Sequence, residues 1–185
     1  MVLLVNACVR EGSRTRRLAD ALIQNLQCEV TEVKLSEIEF PIADAGFLAK
    51  RDSLIAAAAW TDPMFDLARQ FAGASLIIIA APYWDLSFPA ALKQYLEQIN
   101  VVGITFRYTP EGTPEPLCRA KKLYYVTTAG GAFVPEEFGF GYVKTMAQSF
   151  YGIQDVELIK AVGLDLYGAD AEQIMNDAID TLPHS

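Results

Sequence analysis

The chain has 185 residues, 52% hydrophobic and 21% charged, with a formal net charge of −8. That length suits one well-buried domain, and the composition is far from that of a disordered chain. The acidic balance disfavours nucleic acid or an anionic membrane as the main partner, and no apolar run approaches the roughly 18 residues a membrane span requires.

The first residues, Met1-Val2-Leu3-Leu4-Val5-Asn6, carry no basic leader and read as a first strand over Val2 to Asn6. Leu18, Ala21, Leu22 and Leu26 then recur at helical spacing, with Ser13 or Thr15 as the candidate cap. β-Branching in Val30, Thr31 and Val33 predicts a second strand over Glu29 to Leu35. Pro41 and Gly46 punctuate a loop over Ser36 to Ala49. Helical stretches follow over Lys50 to Ala59 and Pro63 to Phe71, broken at Thr61-Asp62-Pro63.

The run Leu76 to Ala81 is the most hydrophobic and is assigned to a central third strand. Beyond it, Leu92, Tyr95, Leu96 and Ile99 make one apolar face of a helix with Pro89 in its first turn, where a missing N–H costs little. Gly103 to Tyr108 reads as a short extended piece leading into a Pro/Gly-rich loop over Pro110 to Pro116. A fourth strand spans Lys121 to Thr127. A helix over Val143 to Phe150, a fifth strand over Val156 to Val162 and a last helix over Ala169 to Thr181 complete the chain. No repeat or linker interrupts it, so residues 1–185 are read as one domain.

Five strands interleaved with helices predict an α/β, flavodoxin-like doubly wound parallel sheet of order 2-1-3-4-5, with helices on both faces. A ligand then lies at the carboxyl ends of strands one, three and four. Three unusual loops fall there. The first, Ala7 to Thr15, ends at a helix start whose free N–H groups and dipole favour a phosphate, with Arg10, Ser13, Arg14 and Thr15 as further donors. The second, with Pro82, Tyr83, Trp84, Asp85 and Leu86, offers flat aromatic surface to a planar heterocycle. The third, Thr127-Thr128-Ala129-Gly130-Gly131, offers paired glycines. Together they read as an FMN site, with the phosphate at the first loop and the ring between the other two.

One alternative arises in the first loop. Cys8 followed by Arg14-Thr15 matches the C-x5-R-S/T signature of low-molecular-weight phosphatases. The single Asp-Pro pair, Asp62-Pro63, lies in the helical middle rather than late in the chain, so Cys8 is read as a small buried residue. The G-x-x-x-x-G-K-S/T and G-x-G-x-x-G phosphate signatures are absent. The three cysteines lack metal or disulfide spacing and indicate a reducing, cytoplasmic setting, and the lone His184 excludes a His-based triad. No metal ligand and no catalytic acid or base is nominated.

Ala81-Pro82-Tyr83-Trp84-Asp85-Leu86-Ser87-Phe88-Pro89-Ala90-Ala91-Leu92-Lys93 resembles the A-P-(M/L/I)-(Y/W)-N-(F/L/W)-x-(I/V/F)-P-x-x-L-K segment of the FMN-dependent NADH-azoreductases and related NAD(P)H:quinone oxidoreductases. Thr105-Phe106-Arg107-Tyr108 with Gly112, the Thr127 to Gly131 loop, Ser13-Arg14-Thr15 and the stretch from Tyr151 to Gly163 are similar to further motifs of that family, in the same order. The resemblance implies a homodimer with each FMN near the interface, and a two-step cycle. NADH or NADPH reduces the flavin, and a quinone, azo or nitro compound takes the electrons. It also implies Tyr108, with Phe133 beside the glycine loop, on the substrate side. A flavodoxin-type electron carrier is the non-enzymatic alternative. Three positions depart from the family pattern: Asp85 replaces Asn, Ala129 stands where Arg is frequent, and Asn6-Ala7-Cys8 replaces a serine-rich loop. An ionised Asp85 cannot donate to a flavin carbonyl.

Overall fold

A computed structural model describes residues 1–184. In chain order the elements are β1 (Val2–Asn6), α1 (Arg14–Asn25), β2 (Val30–Lys34), α2 (Ala45–Ala56), α3 (Asp66–Gly73) and β3 (Leu76–Ala80). There follow α4 (Ala90–Ile99), β4 (Phe106–Tyr108), β5 (Pro114–Pro116), β6 (Lys122–Thr128), α5 (Phe140–Met146), β7 (Asp155–Ala161) and α6 (Ala171–Asp180). Five strands form one parallel sheet in the order β2-β1-β3-β6-β7. Counting only the strands of that sheet, this is the predicted 2-1-3-4-5, and the fold is flavodoxin-like.

The apolar runs of β1 and β3 follow from their position, since a strand covered on both faces has no solvent side. Ile77 and Ile79 enter one core layer with Phe65, Phe71, Tyr95 and Tyr151, while Ile78 and Ala80 enter the other with Leu18, Leu22 and Met175. Burying each isoleucine contributes roughly 1.5–3 kcal/mol. The face expected on α4 is the one it buries: Leu92, Tyr95, Leu96 and Ile99. Pro89, expected in the first turn, stands one residue before it at the N-cap position and makes no side-chain capping bond.

Two expectations are corrected. The stretch read as loop to Ala49 contains the start of α2, because the Asp44 side chain accepts the Phe47 N–H at 2.8 Å and caps a helix through Gly46. The Pro/Gly-rich segment is not all loop, since Pro114 to Pro116 pair antiparallel with β4. Proline is tolerated there because a two-stranded ribbon has a free edge on each strand. Arg107 and Glu115 lock this hairpin with two 2.8 Å bonds. Its place in the fold is fixed by Phe106, which meets Phe150 edge-on at 5.0 Å. Phe150 belongs to a π-helical turn, Ala147–Tyr151, that continues α5.

Candidate functional site

The parallel register brings the carboxyl ends of β1, β3 and β6 side by side, and the three loops leave the sheet together. The Ala7 N–H donates to the Ala80 carbonyl at 2.8 Å, and the Tyr83 N–H to the Thr128 carbonyl at 3.1 Å. These bonds carry the sheet pairing one step beyond the strands and set the loops at fixed distances. Between them lies a cleft of about 300 Å³, at the low end for small-molecule sites.

One wall of the cleft is the first loop with Arg10, Ser13, Arg14 and Thr15; the second loop contributes Pro82, Tyr83 and Trp84, and the third Thr128 and Gly130. Ser13 is the α1 cap, its hydroxyl accepting the Arg16 N–H at 3.3 Å. Gly12, at φ +67°, makes the turn into it. The N–H groups of Ser13, Arg14 and Thr15 have no partner among the described residues. Unpaired donors at the positive end of a helix dipole attract an anion. Thr15 and Thr128, both buried, share a 2.6 Å hydroxyl pair. Whichever hydroxyl accepts in that pair keeps its own proton for a ligand.

The remaining predicted residues do not line the cleft. Asp85 and Leu86, at φ +49° and +68°, are the two central residues of a tight turn closed by paired bonds between Trp84 and Ser87 at 3.0 and 2.8 Å. Both central angles are positive, as a type I′ turn requires. Asp85 therefore serves the turn, where Asn and Asp tolerate the left-handed region best, and Leu86 is held there under strain. Thr127 points into the other core layer, its buried hydroxyl without a partner among the described residues. Ala129 is buried, with its N–H on the Ala161 carbonyl. Gly131 accepts from the Gly163 N–H. Phe133 is 79% exposed, and Tyr108 is 52% exposed on the β4–β5 hairpin, edge-on to Phe106.

One cleft residue lay beyond sequence reasoning. Asp165, in the loop after β7, pairs with Arg14 through both carboxylate oxygens at 2.8 and 3.2 Å. The Arg14 guanidinium holds this carboxyl below the usual range. Its 151-residue separation from Arg14 leaves no local signal. Asp165 also explains Gly130, since a Cβ there would run into the Asp165 carboxylate. The glycine thus serves an internal contact in addition to any ligand.

A larger hollow, about 710 Å³, lies on the other side of the first loop. Three of its four cations are already engaged: Arg16 by Asp20 and Glu32, Arg17 by Glu172, Lys34 by Glu37. Arg10, which borders both spaces, is the cation there without a bonded partner among the described residues. What sets the smaller cleft apart is the unpaired Arg14 and Thr15 N–H groups and the Thr15–Thr128 hydroxyl pair, residues that line it and not the larger hollow. Cys8 is 5% exposed, its thiol directed at the Ala80 carbonyl, and burial pushes its pKa up. A thiol in that state is no nucleophile at neutral pH. Cys118, pushed up to about 12 by burial, is inert as well. Alkylation of the native chain by iodoacetamide is expected at Cys28 first, since Cys8 and Cys118 are the two thiols whose pKa burial raises. Peptide mapping that found Cys8 first would restore the phosphatase reading. No cluster of potential metal ligands and no helix long and apolar enough to cross a membrane occurs among the described residues.

A family model described as a flavodoxin-like fold matches residues 1–183. An FMN-dependent NADH:quinone oxidoreductase of Clostridium perfringens is 35% identical over 188 aligned residues, covering 97% of this chain and 94% of that protein. One from Clostridium beijerinckii is 34% identical, covering 95% and 91%. Among solved structures, an azoreductase from Bacillus anthracis superposes with a TM-score of 0.84 at 25% identity, covering 97% of this chain and 94% of the other. With the model spanning nearly every residue and relatives this similar along their full length, the chain belongs to the flavodoxin-like fold family.

Proposed function

We propose that this protein is an FMN-dependent NAD(P)H oxidoreductase that passes electrons to quinones or azo-type acceptors. The observation that carries the reading is the single cleft formed by all three loops, with unpaired donors at one end and aromatic surface at the other. The clostridial relatives, named as FMN-dependent NADH:quinone oxidoreductases, support the cofactor, the donor and the reaction.

The donor set fits FMN. The phosphate is assigned to the Ser13, Arg14 and Thr15 N–H groups, the Ser13 and Thr15/Thr128 hydroxyls and Arg10. The ring is assigned to Pro82, Tyr83 and Trp84 on one side and the Thr127 to Gly131 backbone on the other. FMN held there would supply the redox chemistry, two-electron exchange between a nicotinamide and the acceptor. The chain's own part is to anchor the phosphate, to hold the aromatic loop rigid through the Trp84–Ser87 turn, and to seat a donor or acceptor over the flavin face.

A homodimer and a cytoplasmic location belong to the same proposal. Tyr108 does not line its own cleft, so a substrate-side role for it, or for Phe133, calls for a second copy. Exposed Trp84 in the cleft lining, Leu86 in the turn beside it, Phe138, whose carbonyl accepts from Ser87, and Phe133 after the glycine loop supply apolar surface for that contact. Three free cysteines suit a reducing compartment.

The test is one anaerobic titration. The purified chain loaded with FMN is expected to lose its visible flavin absorption on adding NADH, to regain it with a quinone, and to turn over both continuously. Reduction without steady turnover would leave an electron carrier. A colourless protein that hydrolyses aryl phosphates would overturn the assignment.

A further inference from the structure

We propose that Asp165 is a specificity-determining residue of this site, an internal counter-anion that competes with a ligand's phosphate for Arg14 and sets how tightly FMN is held; the proposal rests on the FMN reading above. The cleft has two cations, Arg10 and Arg14, at its anion-binding end. Arg14 is already neutralised, because both Asp165 oxygens meet its two terminal nitrogens. An incoming phosphate therefore meets a cleft with one free positive charge, at Arg10, and two carboxylates in its lining, Glu11 and Asp165, of which Asp165 is the one bonded to Arg14.

The carboxylate is held there by backbone. The Asp165 N–H donates to the Gly130 carbonyl at 2.9 Å, the Leu164 N–H to Ala129 at 3.2 Å and the Gly163 N–H to Gly131 at 2.9 Å. The loop after β7 is thus tied along the whole glycine loop, and the space left by Gly130 is filled by the Asp165 side chain. A passing surface ion pair has none of this framing.

The guanidinium geometry defines what the phosphate can use. An end-on pair occupies one N–H on each terminal nitrogen, leaving the outer N–H groups and Nε free. A phosphate can take these while Asp165 stays, at the expense of repulsion between dianion and carboxylate, or it can displace Asp165. Either route makes binding weaker than an unmasked Arg14 would allow. The carboxylate also borders the glycine loop through Gly130, but its charge acts chiefly on a phosphate dianion, so a neutral flavin lacking phosphate senses it far less.

The experiment compares FMN and riboflavin binding to the native apoprotein and to Asp165→Asn, which keeps the shape and removes the charge. FMN is expected to bind about fivefold more tightly to Asp165→Asn, the scale of one exposed charge pair, with riboflavin affinity changing far less. Arg14→Ala is expected to weaken FMN more in the Asp165→Asn chain than in the native chain, because there Arg14 is unmasked. Asp165 is 64% exposed, so the variant is expected to fold, and its thermal midpoint checks this. FMN binding that weakens or stays the same in Asp165→Asn overturns the proposal, the former by making Asp165 a support that aims Arg14 at phosphate. If the native chain binds neither flavin, the FMN reading itself fails, a result distinct from both.

Discussion

Thr15→Val is expected to destabilise the chain by about 1–3 kcal/mol and to weaken FMN binding about tenfold or more. The side chains have the same outline, so the substitution removes one hydroxyl and little else. Thr15 and Thr128 are 1% and 7% exposed, and their 2.6 Å pair joins the first turn of α1 to the end of β6. With Thr15 gone, the Thr128 hydroxyl is buried without a partner, and that desolvation is the source of the stability loss. The double variant Thr15→Val/Thr128→Val separates the two roles. Replacing both members of a buried hydrogen bond by apolar groups can be nearly neutral, so urea denaturation should show stability largely recovered. FMN titration should show affinity still lost, because neither hydroxyl remains to donate to a phosphate. Additive losses of stability would mean that the pair is not the unit proposed.

The same pair shows where sequence reading stops. Both threonines stood out, each at the end of a strand or the start of a helix, but their contact spans 113 residues and has no local signature. The Arg14–Asp165 pair is the same case over a longer separation. What was legible was periodic. The β3 run and the α4 face follow from burial on two sides of a sheet or one side of a helix, and pattern encodes that directly. Local punctuation misled in two places. Gly46 and Pro41 outweighed the Asp44 cap in front of α2, and Pro114 and Pro116 concealed a ribbon whose free edges accept them. Asp85 was weighed as a group facing a flavin. Its positive φ shows that the turn between Trp84 and Ser87 uses it first, and the side chain's carboxylate character is secondary to that.

The largest stability effect is expected at Gly152. It sits at φ +72° just after the π-helical turn, and a Cβ there would lie 2.7 Å from the Pro116 Cβ and Cγ. Gly152→Ala thus meets two costs, a left-handed backbone for a residue with a Cβ and overpacking against a rigid ring. Together they amount to about 2–5 kcal/mol. Pro116 cannot swing aside as a flexible side chain would, so the relief available is movement of the β4–β5 hairpin. That hairpin carries Tyr108 and rests on Phe150 through Phe106. The phosphate loop and the Trp84 turn lie on other elements and have no contact of this kind with Gly152. In the proposed dimer, Gly152→Ala should therefore lower the urea midpoint and the kcat/KM for a quinone while FMN affinity changes far less. An unchanged midpoint would show that the hairpin tolerates the added methyl. FMN loss in parallel with quinone turnover would show instead that the hairpin and the flavin cleft are coupled within one chain, leaving Tyr108 no separate role on the substrate side.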